Sequence, residues 1–315
     1  MEQDNDKLKL EDLLKDSSPL ENNTQFEYVA IIGAGIMGQG IAQTVASSGI
    51  ETIIIEKDEK HLEDSKVQIE NSMNQQIERW SMTESEKKSI LNRITWHLDI
   101  NEASECDLII ESIVENYQLK RILFKKLDEI ANPETILVSN TSTLSLTEIA
   151  QVTNRKDKII GMHFLNPVPK VPLVELVKGM DTSEETVAKT KEFVNKIGKT
   201  AIEVYEYPGF VTTRAIVPLL NEAMHILLEG IASAKDIDTA MKLGYNFQMG
   251  PLELADSMGL EEVLTWMEQL YGTLGEPRYR PCPLLRKMVR ERKLGKKTNQ
   301  GFFTYDSEGH IINKD

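Results

Sequence analysis

Cysteine is nearly absent from this chain. Cys106 and Cys282 lie far apart and at no metal-ligand spacing, which excludes a disulfide framework and a cysteine-based zinc site. The five histidines (His61, His97, His163, His225 and His310) form no cluster with metal spacing, so no metal is expected. No run approaches the roughly 18 apolar residues that a membrane span needs. The opening MEQDNDKLKLEDLLKDSSPLENNTQ lacks the basic start and apolar centre of a secretion signal. These absences point to a cytoplasmic protein with no membrane partner. Positive charge is scarce too: 36 Lys+Arg against 50 Asp+Glu leave a net charge of −14, which argues against general nucleic-acid binding. One stretch runs the other way. Arg278, Arg280, Arg286, Lys287, Arg290, Arg292, Lys293, Lys296 and Lys297 are interrupted only by Glu291. A solvated helix face or a subunit contact is the simpler reading, with a ligand-phosphate site as the alternative.

What the chain does have is length, 315 residues with 40% hydrophobic content, enough for two domains with cores of their own. It also has one organising stretch, YVAIIGAGIMG, from Tyr28 to Gly38. The β-branched run Tyr28 to Ile32 suits a buried strand, and it breaks into Gly33, Gly35 and Gly38 in the spacing G-x-G-x-x-G. The first glycine allows a tight turn, the second lets a pyrophosphate approach the backbone, and the third lets the helix sit close to the strand. The helix starting near Ile36 and Met37 would meet the phosphates with free N–H groups and its positive dipole end. That helix ends at Gly49, and the next apolar run, Thr52 to Ile55, closes with Glu56. An acid about 20 residues past the glycines is where a ribose 2′-hydroxyl is held. Glu56 therefore favours NAD over NADP, whose 2′-phosphate it would repel.

Residues 1–25 read as a polar extension, with Leu8, Leu10, Leu13 and Leu14 hinting at a short helix. Residues 26–206 read as the NAD-binding Rossmann-type domain. Within it, residues 58–92 are too long for a plain crossover and predict a helical pair projecting from the sheet, the second helix opened by a capping box at Thr83 to Glu86. Strands are predicted at Ile94–Trp96, Leu108–Ile110, Ile136–Ser139, Lys158–Gly161, Leu173–Val177 and Ala201–Tyr205. Helices fall between them, at Leu119–Ala131 and Ser183–Ile197. This alternation predicts a doubly wound, mostly parallel sheet with ligands gathered where strand ends meet loops, as at Asn140. From Tyr207-Pro208-Gly209 onward the patterns are helical, so residues 207–315 are expected to form an all-α domain.

The segment HFLNPVPKVPLVELV holds His163 at the end of one strand and Glu175 inside the next. An acid within LVELV is costly to bury without a partner, and an imidazole on a proline-stiffened turn would supply one. If the carboxylate accepts from one ring nitrogen, the other is left as a base. From the residues alone, a satisfied structural histidine and an outward-facing glutamate stand beside this reading. Ser142, in SNTST, reads equally as a turn residue or a substrate contact.

Taken together, VAIIGAGIMGQGIAQ, ESIVEN, SNTSTLSLTEIA, GMHFLNPVPKVPLVELV, PGFVTTR, DIDTAMKLGYNFQMGPLELADSMGL and the segment ending GKKTNQGFFTY closely resemble the L-3-hydroxyacyl-CoA dehydrogenases. The likeness is strongest to the short-chain bacterial 3-hydroxybutyryl-CoA type and covers roughly Tyr28 to Tyr305. The resemblance implies that His163 is the catalytic histidine and Glu175 the acid that orients it. By the same likeness Ser142 bonds the substrate oxygen at C3, and Glu115 and Lys120 contact the nicotinamide half of NAD. Ser72 and Arg79 fall where the family touches coenzyme A. The motif P-G-F-hydrophobic-x-N-R departs here, with Thr213 replacing an active-site Asn; a hydroxyl cannot present an amide's separate donor and acceptor. The expected activity is reversible oxidation of an L-3-hydroxyacyl-CoA by NAD in a homodimer. Alternatives are a sister dehydrogenase of a small 3-hydroxy acid or L-carnitine, and a catalytically silent NAD-binding structural protein.

Overall fold

The computed structural model describes residues 26–312; the extension and its expected short helix lie outside that range. The chain builds an eight-stranded sheet with helices on both faces, followed by a helical half. The strands are β1 (Tyr28–Ile32), β2 (Glu51–Ile55), β3 (Ile94–His97), β4 (Leu108–Glu111), β5 (Ile136–Ser139), β6 (Ile159–Phe164), β7 (Leu173–Lys178) and β8 (Thr200–Tyr205). Their order is β3-β2-β1-β4-β5-β6-β7-β8. All neighbours are parallel except β6 and β7. The order reverses between β1 and β4, so a crevice opens at the carboxyl ends of these two strands.

Strand side chains alternate between faces. Val29 and Ile31 join one core with Ile41 and Val45 of α1 (Ile36–Ser47), Ile69 and Met73 of α2 (Glu59–Glu78) and Ile90 of α3 (Glu84–Leu91). Ala30 and Ile32 join the other with Phe124 and Leu127 of α4 (Tyr117–Ile130) and Ile149 of α5 (Leu146–Ala150). A sheet covered on both sides explains why its strands read as unbroken apolar runs. The projecting pair forms as expected: Asp58 caps α2, and Thr83 with Glu86 closes a reciprocal capping box on α3. The five-residue helix α5 is an addition to the sequence reading, being too short to show a period.

The connection from β6 to β7, residues 165–172, contains no helix. A parallel return needs a crossover of a dozen or more residues, so a short link turns β7 antiparallel. Lys199, nearly buried, tightens this link by donating to the carbonyls of Val168 (2.6 Å) and Val171 (2.7 Å). Helix α6 (Glu184–Lys196), capped by Ser183, then leads to β8.

Helices α7 (Thr212–Leu228), α8 (Ala234–Tyr245), α9 (Pro251–Met258), α10 (Leu260–Leu274) and α11 (Pro283–Arg290) pack around a separate core that includes Val217, Leu220, Leu252, Val263, Met267 and Leu285. Asp256, buried on α9, fastens the C-terminal segment by accepting from the amides of Phe302 and Phe303 and the Tyr305 hydroxyl. Several cations of the basic stretch pair with acids nearby: Arg286 with Glu268, Lys296 with Glu253 and Lys297 with Glu261. Among the described residues no helix is long and apolar enough to cross a membrane.

Strand β1 and helix α1 meet through Gly38, where an added Cβ would lie 1.9 Å from the Gly33 carbonyl oxygen. Neither atom belongs to a flexible side chain, so Gly38→Ala must shift backbone. It should destabilise the protein by about 1–3 kcal/mol, read as a lowered midpoint in urea unfolding.

Candidate active site

The carboxyl edge of the sheet gathers the loops that the glycine motif and the two strand-borne ionisable residues point to. Gly33, at φ +91°, makes the turn after β1, and a Cβ there would press 2.9 Å from the Ser112 carbonyl at the end of β4. Gly35 differs: a Cβ there would meet nothing within 4 Å. It is the N-cap of α1 and offers no side-chain cap, and the first turn carries no acid. The N–H groups of Ile36 and Met37 therefore head an uncapped helix over open space, the arrangement that binds a pyrophosphate. Glu56, at the end of β2, reaches across to accept from the Ala34 amide at 2.6 Å. These residues fit an NAD-type dinucleotide: open space where the phosphates approach, a positive helix end, and an acid at the ribose position.

The same edge carries the histidine. Antiparallel register sets His163 on β6 directly opposite Glu175 on β7. His163 Nδ1 lies 2.6 Å from Glu175 Oε2, with both side chains buried. A buried carboxylate needs its lone pairs satisfied. Oε2 also accepts from the Thr212 hydroxyl at 2.8 Å, and Oε1 accepts from the amides of Val211 (3.1 Å) and Thr212 (2.9 Å). Helix α7 has no side-chain cap of its own, so Glu175 caps it from the sheet. Burial works to raise the Glu175 carboxyl pKa, but the hydrogen bond and charge of His163 and the Thr212 donors outweigh it and hold the group below the ordinary carboxylate range. With Nδ1–H donating to Glu175, Nε2 keeps the lone pair, and it makes no hydrogen bond among the described residues. Phe210 walls the imidazole, its ring centroid 5.4 Å away.

A third group ties these parts together. Asn140, just past β5, accepts from the Phe164 amide at 3.1 Å and donates to the Ser112 hydroxyl at 3.4 Å. Gly33, Ser112, Asn140 and the His163 strand thus form one continuous line along the edge. Glu115 fixes the next loop: its Oε1 accepts from the Thr141 hydroxyl (2.5 Å) and from the amides of Ser142 (3.1 Å) and Thr143 (3.2 Å). Against the cost of burial, the charge of Lys120 and these donors hold Glu115 below its usual range. Lys120 is fully buried, with its ammonium on Glu111 (2.5 Å) and Glu115 (3.3 Å). Both residues therefore brace the loop that carries Ser142.

Not every candidate joins this cluster. Ser72 and Arg79 stand exposed on α2, two turns apart, and no hydrogen bond among the described residues links either side chain to the His163–Glu175 pair. Thr213 is buried and makes no side-chain hydrogen bond among the described residues; one position earlier, Thr212 turns its hydroxyl onto Glu175. Adjacent helical residues point about 100° apart, so the motif departure drew attention to the wrong one of two threonines for that contact. The signal for Thr212 was available as a hydroxyl at a helix start with no cap of its own.

A doubly wound sheet with an open glycine loop and a buried His–Glu pair on one edge defines an NAD-binding oxidoreductase. The family model described as 3-hydroxyacyl-CoA dehydrogenase, NAD binding domain, matches residues 28–207, and the C-terminal domain of the same family matches residues 209–305. The chain belongs to the 3-hydroxyacyl-CoA dehydrogenase family. It is 45% identical to a "probable 3-hydroxybutyryl-CoA dehydrogenase" of Bacillus subtilis over 284 residues, covering 90% of this chain and 99% of that one. Identity to the human mitochondrial hydroxyacyl-coenzyme A dehydrogenase is 39%, over 89% of this chain and 91% of that one. The crystal structure of (S)-3-hydroxybutyryl-CoA dehydrogenase from Ralstonia eutropha superimposes with a TM-score of 0.82 at 41% identity, covering 90% of this chain and all of that one.

The open space at Gly35 separates binding from folding. Gly35→Val should lower unfolding stability by only about 1 kcal/mol, the usual size of a lost N-cap preference, while NADH affinity, read by fluorescence titration, falls at least about tenfold as the side chain occupies the pyrophosphate position.

Proposed function

We propose that this chain catalyses the reversible oxidation of an L-3-hydroxyacyl-CoA, of the 3-hydroxybutyryl-CoA class, to the 3-ketoacyl-CoA with NAD as hydride acceptor. The observation that carries this reading is the His163–Glu175 pair, braced across two strands at the edge that also holds the glycine loop. The names of the relatives support the substrate class.

His163 Nε2 takes the proton of the C3 hydroxyl as C3 becomes a carbonyl; NAD, when bound in the glycine-loop crevice, would accept the C3 hydride. The imidazolium produced is stabilised by Glu175, whose own charge is held by four donors. In reduction the imidazolium returns its proton to the carbonyl oxygen. Ser142, on the loop anchored by Glu115, donates to that same oxygen. Lys120 keeps Glu115 ionised and in position, with Glu115 facing the nicotinamide half of the site. Glu56 takes the adenine ribose. Ser72 and Arg79 meet the coenzyme A portion from the projecting α2, and Thr213 contributes bulk rather than a hydrogen bond.

Residues 26–206 serve as the nucleotide domain, and residues 207–315 close the substrate side and carry the dimer contact in a cytoplasmic homodimer. Exposed Ile231, Leu243 and Tyr245 on the helical half support an interface there. Light scattering should then give twice the 35.7 kDa chain mass; a monomer at working concentration would contradict the interface.

The enzyme should consume NADH with acetoacetyl-CoA and be much slower with free acetoacetate. His163→Ala should keep NADH binding and lose about 10²–10⁴ in kcat, the usual contribution of a general base. Near-normal turnover in that variant would refute the role.

A further inference from the structure

Glu175 is saturated in an unusual way. An ionised carboxylate offers about four lone-pair sites, and here each is taken: two by backbone amides of Val211 and Thr212, one by the imidazole, one by the Thr212 hydroxyl. Three of those four donors come from the first residues of α7, in the helical half, rather than from the sheet that carries the pair. The two amide donors are fixed by the helix, and any residue except proline would supply them. The hydroxyl is different, because it is specific to the side chain at position 212 and lands on Oε2, the same oxygen that receives His163 Nδ1–H. The motif leaves this position open, so nothing in the family pattern requires a hydroxyl there.

We infer that Thr212 is a positioning residue that sets how strongly Glu175 supports the imidazolium, and hence the pH range in which His163 is an available base. This rests on the dehydrogenase reading above. Charge on Oε2 is shared between two donors. Removing the hydroxyl leaves the imidazole as the sole donor to that oxygen, so the carboxylate draws the proton on His163 more strongly. The pair then holds its proton to higher pH. The backbone donors on Oε1 keep the carboxylate in place while this happens.

Among the described residues no other ionisable side chain hydrogen-bonds the pair. On β7, Lys178 is paired with Glu184; on β8, Glu203 is paired with Lys191, and Glu206 accepts from Thr147. In the first turn of α7, the Arg214 guanidinium stacks on Tyr207 of the preceding turn, 4.3 Å from its ring centroid. On β6 His163 is the one titratable side chain, and the residue that β8 sets beside Glu175 is Ile202.

The test compares wild type, Thr212→Val and Thr212→Ser. Oxidation needs the unprotonated imidazole, so the acid limb of the kcat/KM profile should move up by about half a pH unit in Thr212→Val. On that limb the rate at a given pH is then about threefold lower. KM for NAD should stay within about twofold, and Thr212→Ser should restore the wild-type limb. Thr212→Ala removes the same hydroxyl with less bulk and should shift the limb equally should Val crowd Glu175. A role confined to packing would lower the rate alike at every pH and leave the limb unmoved, and that result overturns the inference. Titrating the His163 ring by NMR in NAD-free protein reads the same shift without turnover. An enzyme inactive on acyl-CoA would thus sink the proposed substrate and still leave Thr212 decided.

Discussion

The structure turns on one cross-strand pairing, an imidazole and a carboxylate set opposite each other where two strands run antiparallel. Burying a glutamate in the middle of an apolar strand is costly unless every lone pair finds a donor. Here the donors come from two directions: the neighbouring strand, and the amino end of a helix whose first residues supply two amides and a hydroxyl. The helix end contributes electrostatically as well, since its dipole favours negative charge at that point. The two halves of the chain are thereby joined at the Glu175 carboxylate.

The antiparallel turn is what makes the pairing possible. Six strands in parallel put their carboxyl ends on one edge, which suits a dinucleotide but aligns neighbouring strands in the same direction. Reversing the seventh strand brings a residue from its interior level with the end of the sixth. The short link between them, held by the Lys199 ammonium on two carbonyls, leaves the register little freedom. A slip of one residue would turn Glu175 to the opposite face.

Around this pair the edge is organised by loops that hold each other. Asn140 bridges the ends of β4 and β6, and Glu115 gathers three consecutive residues after β5 onto one carboxylate oxygen. Lys120, buried beside two acids, keeps that carboxylate charged and oriented. Preorganised loops of this kind let a site meet charge that develops during reaction without reorganising. The glycines divide the labour: Gly33 and Gly38 are required by close backbone contacts, and Gly35 by the space beside it.

Much of this was legible in the sequence because it depends on local pattern. Glycine spacing after a β-branched run marks a strand, turn and helix wherever it occurs, and short unbroken apolar runs against a 3.6-residue period sort buried strands from helices. The acid within LVELV and the histidine beside the prolines announced themselves by being out of keeping with their surroundings. The strand order, the register of β6 against β7, and the meeting of Glu175 with the start of α7 are contacts between residues 12 to 37 positions apart or more. No local pattern encodes such distances. Thr212 and Thr213 look alike in PGFVTTR, and only the rotation of a helix packed against a sheet decides that the first faces the carboxylate. The sequence determined which chemical groups the chain possesses and which elements carry them; tertiary packing decided which of those groups touch, because hydrogen bonds act over about 3 Å whatever the separation along the chain.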